Sequence, residues 1–127
     1  VFGAVSLTVN LVGLGLFGGA AFSLNLVLFG AEQSVVDSLL AGSTRIALLG
    51  SALVFAVGAI LFGVAMVRTR VHPRAAAVAY AVSLPALALA APLPDSPLIS
   101  AVHVVAGVSV GWLAVSAGRR VAALSVA

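Results

Sequence analysis

The chain has 127 residues, 63% hydrophobic and 7% charged, with six basic residues, three acidic ones and no cysteine. A soluble domain carries about 25% charged residues, and so short a chain cannot hide this much apolar surface from water; its solvent is lipid. The net charge of +3 comes from scattered arginines without interleaved aromatics, which excludes a nucleic-acid groove, and the lack of cysteine excludes disulfides, thiolate catalysis and zinc–thiolate sites.

The mean hydropathy of +1.31 is distributed in four runs, each near the length of about 20 residues that a membrane span needs. Residues 2–31 form the first and are closed by Glu32, Gln33 and Asp37. This run lacks a charged leader and exceeds the apolar core of a signal peptide, so it reads as a span. Its length predicts one tilted helix, or one whose end at Asn25 emerges into the interface. Residues 46–67 form the second run and end at the stretch RTRVHPR. Residues 75–91 form the third, with Pro85 predicting a kink. Pro92, Pro94 and Pro97 then predict a stiff loop before the fourth run, residues 98–117. Open strand edges are not satisfied in hydrocarbon, so every run is predicted to be helix. The expected fold is all-α, an integral membrane four-helix bundle in a single transmembrane domain.

Orientation follows from the arginines, because basic residues flanking spans stay on the cytoplasmic side. Arg68, Arg70 and Arg74 lie between the second and third runs, and Arg119 and Arg120 follow the fourth. Glu32, Asp37, Arg45 and Asp95 fall on the other side. Both termini are therefore expected in the cytoplasm, with the five arginines as topology anchors rather than a ligand site. His72 before Pro73 fits a short hairpin there, since a residue preceding proline avoids helix. The Ala/Val/Leu/Gly/Arg bias without lysine is associated with high-GC prokaryotes and points to a cytoplasmic (inner) membrane.

Small residues are candidates for helix packing. Gly15 and Gly19 form one GxxxG pair, Gly107 and Gly111 another, and both spacings let two backbones approach in lipid. Ala75, Ala79 and Ser83 continue the pattern on the third run. Asn10 and Asn25 are the most polar groups in the first run, with Ser6, Asn10 and Gly13 on one helical face. Such a seam serves either an interhelical hydrogen-bond network or a hydrated path.

The segment Ser6–Gly19, with Leu7-Thr8-Val9-Asn10 and Gly13, resembles one span of the small fluoride-channel family. That resemblance implies a threonine- and phenylalanine-rich span, and residues 46–67 hold no such run, so the family is not assigned.

His103 is the titratable group well inside an apolar run, where burial is costly and function is the default reading. It is expected to bond a neighbouring helix, to ligate haem as a single histidine or between subunits, or to handle protons or ions. Haem held by His72 plus His103 within one subunit is disfavoured, because the two lie near opposite faces of a bilayer about 30 Å thick. Asp95, eight residues before His103, can orient its imidazole or form a plain surface ion pair. Glu32 belongs to the same outer end. Together Glu32, Asp95 and His103 are the candidate polar outer-face site. Trp112 and Tyr80 read as packing or interface residues, and the usual hydrolase, zinc-protease and phosphate-loop motifs are absent from the sequence.

From Arg45 onward the order Arg68, Pro73, Pro94-Asp95 and His103 resembles uncharacterised multi-pass membrane protein families of actinobacteria and haloarchaea. That likeness implies a multi-pass fold and no known activity.

The functional expectation is a non-catalytic small subunit packing in a larger membrane complex, its partners being the bilayer and other membrane subunits or itself. A small homo-oligomeric transporter or channel lined by Asn10, Asn25 and His103 is the alternative. An enzyme with an outer-face Asp/His site comes third.

Overall fold

The computed structural model describes residues 1–91, 93 and 96–125, and among these it is helical, without strands. Five helices follow one another: α1 (Phe2–Leu28), α2 (Gln33–Leu39), α3 (Ser43–Thr69), α4 (Arg74–Ala90) and α5 (Pro97–Leu124). Three of them, α1, α3 and α5, are long and apolar enough to cross a membrane, while α4 is apolar but has 17 residues. At 1.5 Å per residue the long helices reach about 40 Å and α4 about 25 Å.

Several boundaries differ from the sequence expectation, each for a local reason. The first helix stops at Leu28 because Gly30 turns the chain at φ 83°, a conformation glycine adopts without steric cost. The link expected at residues 32–45 contains α2, whose first turn closes on the Glu32 carbonyl through the Val35 and Val36 amides. None of the residues of α2 is buried. Gly42, at φ 64°, then admits α3 at Ser43, so Arg45 sits within its first turn. Arg68 likewise belongs to the last turn of α3, where a cation complements the helix dipole, and Arg70 caps that helix. Pro97 opens α5 rather than stiffening the loop: it occupies the first turn, and the Ser96 hydroxyl accepts a bond from the Ile99 amide. This is the pairing of cap and N-terminal proline that helix starts favour. Beyond residue 117, α5 continues through Arg119 and Arg120 to Leu124, because arginine is a good helix former. Pro92 and Pro94 lie outside the described residues.

The helices are antiparallel neighbours in a row, with α1 against α3, α3 against α4 and α4 against α5. The closed four-helix bundle expected from sequence is opened on one side, since α5 makes no comparable contact with α1 or α3. Of the three long helices, α3 is the most enclosed. Its buried face runs through Ala52, Phe55, Ala56, Ala59 and Met66, and Ala76, Ala77 and Ala88 of α4 are almost fully covered. Phe17 stacks on Phe55 at 5.5 Å between ring centres, and Phe62 meets Tyr80 edge-on at 6.0 Å.

Close approach depends on three glycines. A Cβ on Gly13 would lie 2.5 Å from Phe55 Cα, and one on Gly58 would lie 2.6 Å from Asn10 Cα. Gly63 abuts Ala81 of α4 in the same way. Without a hydrophobic drive between helices in lipid, such backbone proximity supplies much of the association through dispersion. The row remains open: its accessible surface is 8117 Å², against about 6,200 Å² for a compact soluble chain of this mass. Most of the excess is apolar side chain on α1, α3 and α5.

Replacing Gly58 with Ala forces α1 and α3 apart and is expected to cost about 1–3 kcal/mol, the usual range for overpacking. Gly107→Ala, where an added Cβ meets nothing within 4 Å, is expected to leave stability within roughly 0.5 kcal/mol of the parent or above it. Unfolding in mixed micelles with increasing denaturing detergent measures both.

Candidate functional site

The buried residues of α1 are Ser6, Asn10, Gly13 and Phe17, one face of the helix at spacings of four, three and four. Glycine at 13 and at 58 brings that face close enough for Asn10 to reach past α3 to α4. There the Asn10 Nδ2 donates to the Tyr80 hydroxyl at 2.9 Å, and the hydroxyl donates back to Asn10 Oδ1 at 3.1 Å. Both residues are buried. An unpaired amide in hydrocarbon costs several kcal/mol, roughly, so the reciprocal pair removes a large penalty even where its net gain is small.

Other interior hydroxyls close on their own helices. Ser6 donates to the Gly3 carbonyl, Ser83 to that of Ala79, and Ser109 to that of Ala106. Among the described residues no buried side-chain nitrogen or oxygen is left without a partner. The interior serine hydroxyls are thus satisfied within their own helices, and the Asn10–Tyr80 pair is the buried side-chain bond between helices among the described residues.

Asn25 does not continue this seam. It is exposed, and its amide donates to the Ala21 carbonyl at 2.9 Å. It lines a cleft of about 420 Å³ between α1 and α3, together with Arg45, Leu28 and Leu40. The two asparagines are separated along α1 by about 22 Å.

Of the expected outer-face group, the described members Glu32 and His103 stand on different elements. His103 is exposed on α5 and its Nδ1 lies 2.8 Å from the Ile99 carbonyl of the same helix. A carbonyl only accepts, so Nδ1 carries the proton. The bond to a neighbouring helix expected from sequence is replaced by this internal one, because α5 turns His103 away from α4. Glu32 is exposed where α2 begins, and Asp37 accepts from Gln33 Nε2 at 2.9 Å. Asp95 lies outside the described residues. No set of three His, Cys, Asp or Glu side chains among the described residues is grouped to hold a metal.

His72 is half-buried and its Nδ1 lies 3.1 Å from the Ser116 hydroxyl. Ser116 is thirteen positions along α5 from His103, a rise of about 20 Å, so the two imidazoles do not share one iron within a chain.

The glycines singled out by spacing all face outward. Added Cβ atoms at Gly15, Gly19, Gly107 and Gly111 would meet nothing within 4 Å, whereas Gly13, Gly58 and Gly63 make the contacts inside the chain. Tyr80, expected from sequence as a packing or interface residue, is buried against Phe62 and also holds the Asn10 amide, a role the sequence does not show. The available signal was its hydroxyl, which needs a partner when buried in an apolar helix.

Five of the six arginines gather at one end, and Arg45 stands at the other. Arg68 stands over the Phe2 ring at 5.4 Å, a cation–π arrangement that ties the N-terminal turn of α1 to the C-terminal turn of α3. Arg70, Arg119 and Arg120 line a second cleft with His72 and Trp112, and Arg74 begins α4.

Tyr80→Phe strands the Asn10 amide and is expected to cost about 1 kcal/mol; the Asn10→Leu/Tyr80→Phe double-mutant cycle is expected to give a coupling of roughly 0.6–1.7 kcal/mol. The same micelle unfolding titration reads it.

Comparison of the chain with protein-family models, curated proteins and solved structures finds no match in any of the three.

Proposed function

We propose that this chain is a non-catalytic small subunit of a larger membrane complex, crossing a prokaryotic inner membrane four times with both termini in the cytoplasm. The supporting observation is the division between its inside and its outside. Inside, every described buried side-chain nitrogen and oxygen is partnered, which leaves no unsatisfied side chain to line a solute path. Outside, α1 and α5 present apolar faces that carry open glycines, Gly15, Gly18 and Gly19 on one and Gly107 and Gly111 on the other. Glycine on an outer face lets another helix approach closely.

Four crossings rest on α4. At about 25 Å it is slightly shorter than the hydrocarbon layer, and modest thinning or snorkelling accommodates that mismatch. It lies antiparallel between α3 and α5 and buries Ala76, Tyr80, Leu84 and Ala88 along its length, which supports a traverse of the same layer. The basic end then takes the cytoplasmic side by the rule for positive residues.

Native mass spectrometry of the protein extracted gently from its own membrane tests the role. Larger subunits at fixed stoichiometry are expected, and a homo-oligomer without them would replace the subunit reading with transport. Orientation is tested separately, and the chain has no cysteine of its own. Ser38→Cys in α2 is expected to react with an impermeant maleimide on intact cells. Val71→Cys, in the turn between α3 and α4, is expected to react only after permeabilisation.

A further inference from the structure

The cleft at the basic end has the chemistry of a receptor. It measures about 460 Å³ and lies between the α3–α4 turn and the last turns of α5. Three guanidinium-bearing residues, Arg70, Arg119 and Arg120, line it. The His72–Ser116 contact at 3.1 Å braces the turn against α5 across it. Glu32 and Asp37 belong to α2 and its start, at the opposite end of the row. Arginine forks match phosphate oxygens in pairs, and such bonds are roughly twice as strong as neutral ones.

Arg70 carries a second mark. It is the one non-glycine residue at positive φ among the described residues, at φ 53° and ψ 22°. A glycine would take this position freely, whereas a side chain there is held against a steric cost. The left-handed cap turns the chain so that Arg70 lines the cleft instead of continuing along α3.

Apart from His72 and Ser116 the remaining lining is apolar, and its larger side chains are exposed. Trp112 and Val115 are 48% and 54% exposed, and Val71 39%. Trp112, Ser116 and Arg119 follow one another on a single face of α5, at spacings of four and three. An aromatic residue, then a hydroxyl, then a cation is the order met on leaving hydrocarbon for the headgroup layer. The cleft thus offers positive charge at its end and an apolar wall toward the bilayer.

We infer that this cleft binds the phosphate of an anionic phospholipid, with Arg70, Arg119 and Arg120 on the headgroup and Trp112 and Val115 along the start of the acyl region. Basic pockets between spans on the cytoplasmic side are suited to such headgroups. A soluble phosphate shares the arginine chemistry but has no use for the exposed apolar wall.

The test is native mass spectrometry of the full chain in a neutral detergent, titrated with phosphatidylglycerol, phosphatidylcholine or inorganic phosphate. One phosphatidylglycerol is expected to stay bound at activation energies that strip phosphatidylcholine. The Arg119→Gln/Arg120→Gln variant is expected to weaken it at least roughly tenfold, as loss of charge-assisted bonds implies. Arg45→Gln, which removes one charge outside this cleft, is expected to leave binding unchanged. Arg70→Gly separates charge from backbone: it keeps the left-handed cap, so binding is expected to fall while the Tm holds or rises. Equal binding of phosphatidylcholine, equal loss in Arg45→Gln, or retention in both cleft variants would overturn the assignment. Displacement of the lipid by millimolar phosphate would transfer the site to a soluble anion and overturn the lipid as its ligand.

Discussion

The contact between α1 and α3 at Gly13 and Gly58 is the constraint from which the rest of the arrangement follows. Each glycine faces the backbone of the other helix at a distance no Cβ tolerates. That closeness sets the angle of α1 and lets Asn10 pass the edge of α3 to meet Tyr80 on α4. Three helices are locked by one glycine pair and one polar pair. Neither device would suffice alone. Dispersion across a close contact is indifferent to small slips along the axis, whereas a reciprocal amide–hydroxyl pair fixes register. Conversely, the hydrogen bond could not form if a methyl group held the helices further apart.

Lipid as solvent explains why the interior looks inverted. In water, burying apolar side chains drives association and polar groups are kept outside. Here the large apolar side chains are mostly outside, and alanine, glycine and a few hydroxyls fill the inside. Volume, not hydrophobicity, sorts the residues, because leucine gains nothing by leaving lipid for protein. Phe17, Phe55, Met66, Tyr80, Leu84 and Leu113 are the large side chains that do become buried. The charges obey a different rule. They are excluded from the middle of the spans and collect at the ends, with the arginines weighted to one of them.

This sorting decides what the sequence makes legible. Apolar runs bounded by charge are a one-dimensional signal, and they place α1, α3, α4 and the start of α5 to within three residues. The face Ser6–Asn10–Gly13 is also readable, since helical periodicity relates residues on one element. Its partner Tyr80 is not, because contact between helices leaves no trace in local spacing. The same holds for the glycines. With 13 of them in the chain, GxxxG spacing selected Gly15, Gly19, Gly107 and Gly111, which face outward. Gly13 and Gly58 lie on different helices and share no motif. The end of α5 was misplaced because Arg119 and Arg120 were read as the end of a helix, when they mark only the depth at which charge becomes tolerable. For His103, hydropathy placed it in a span but could not say which way α5 turns it.

The weakest attachment in the row falls where the charge is densest. α5 packs against α4 alone, and near its C-terminal end the His72–Ser116 contact is its bridge to the α3–α4 turn. A ligand seated among Arg70, Arg119 and Arg120 would touch both sides of that junction. Whatever binds there favours the arrangement with α5 held against the turn, and whatever holds α5 there forms the cleft, by the reciprocity that couples any two binding equilibria. A partner helix covering Gly107 and Gly111 would fix the same element from its outer face. The proposed headgroup cleft and the proposed subunit surface would thus be two handles on one helix, with the strained cap at Arg70 the price of keeping the first within reach of it.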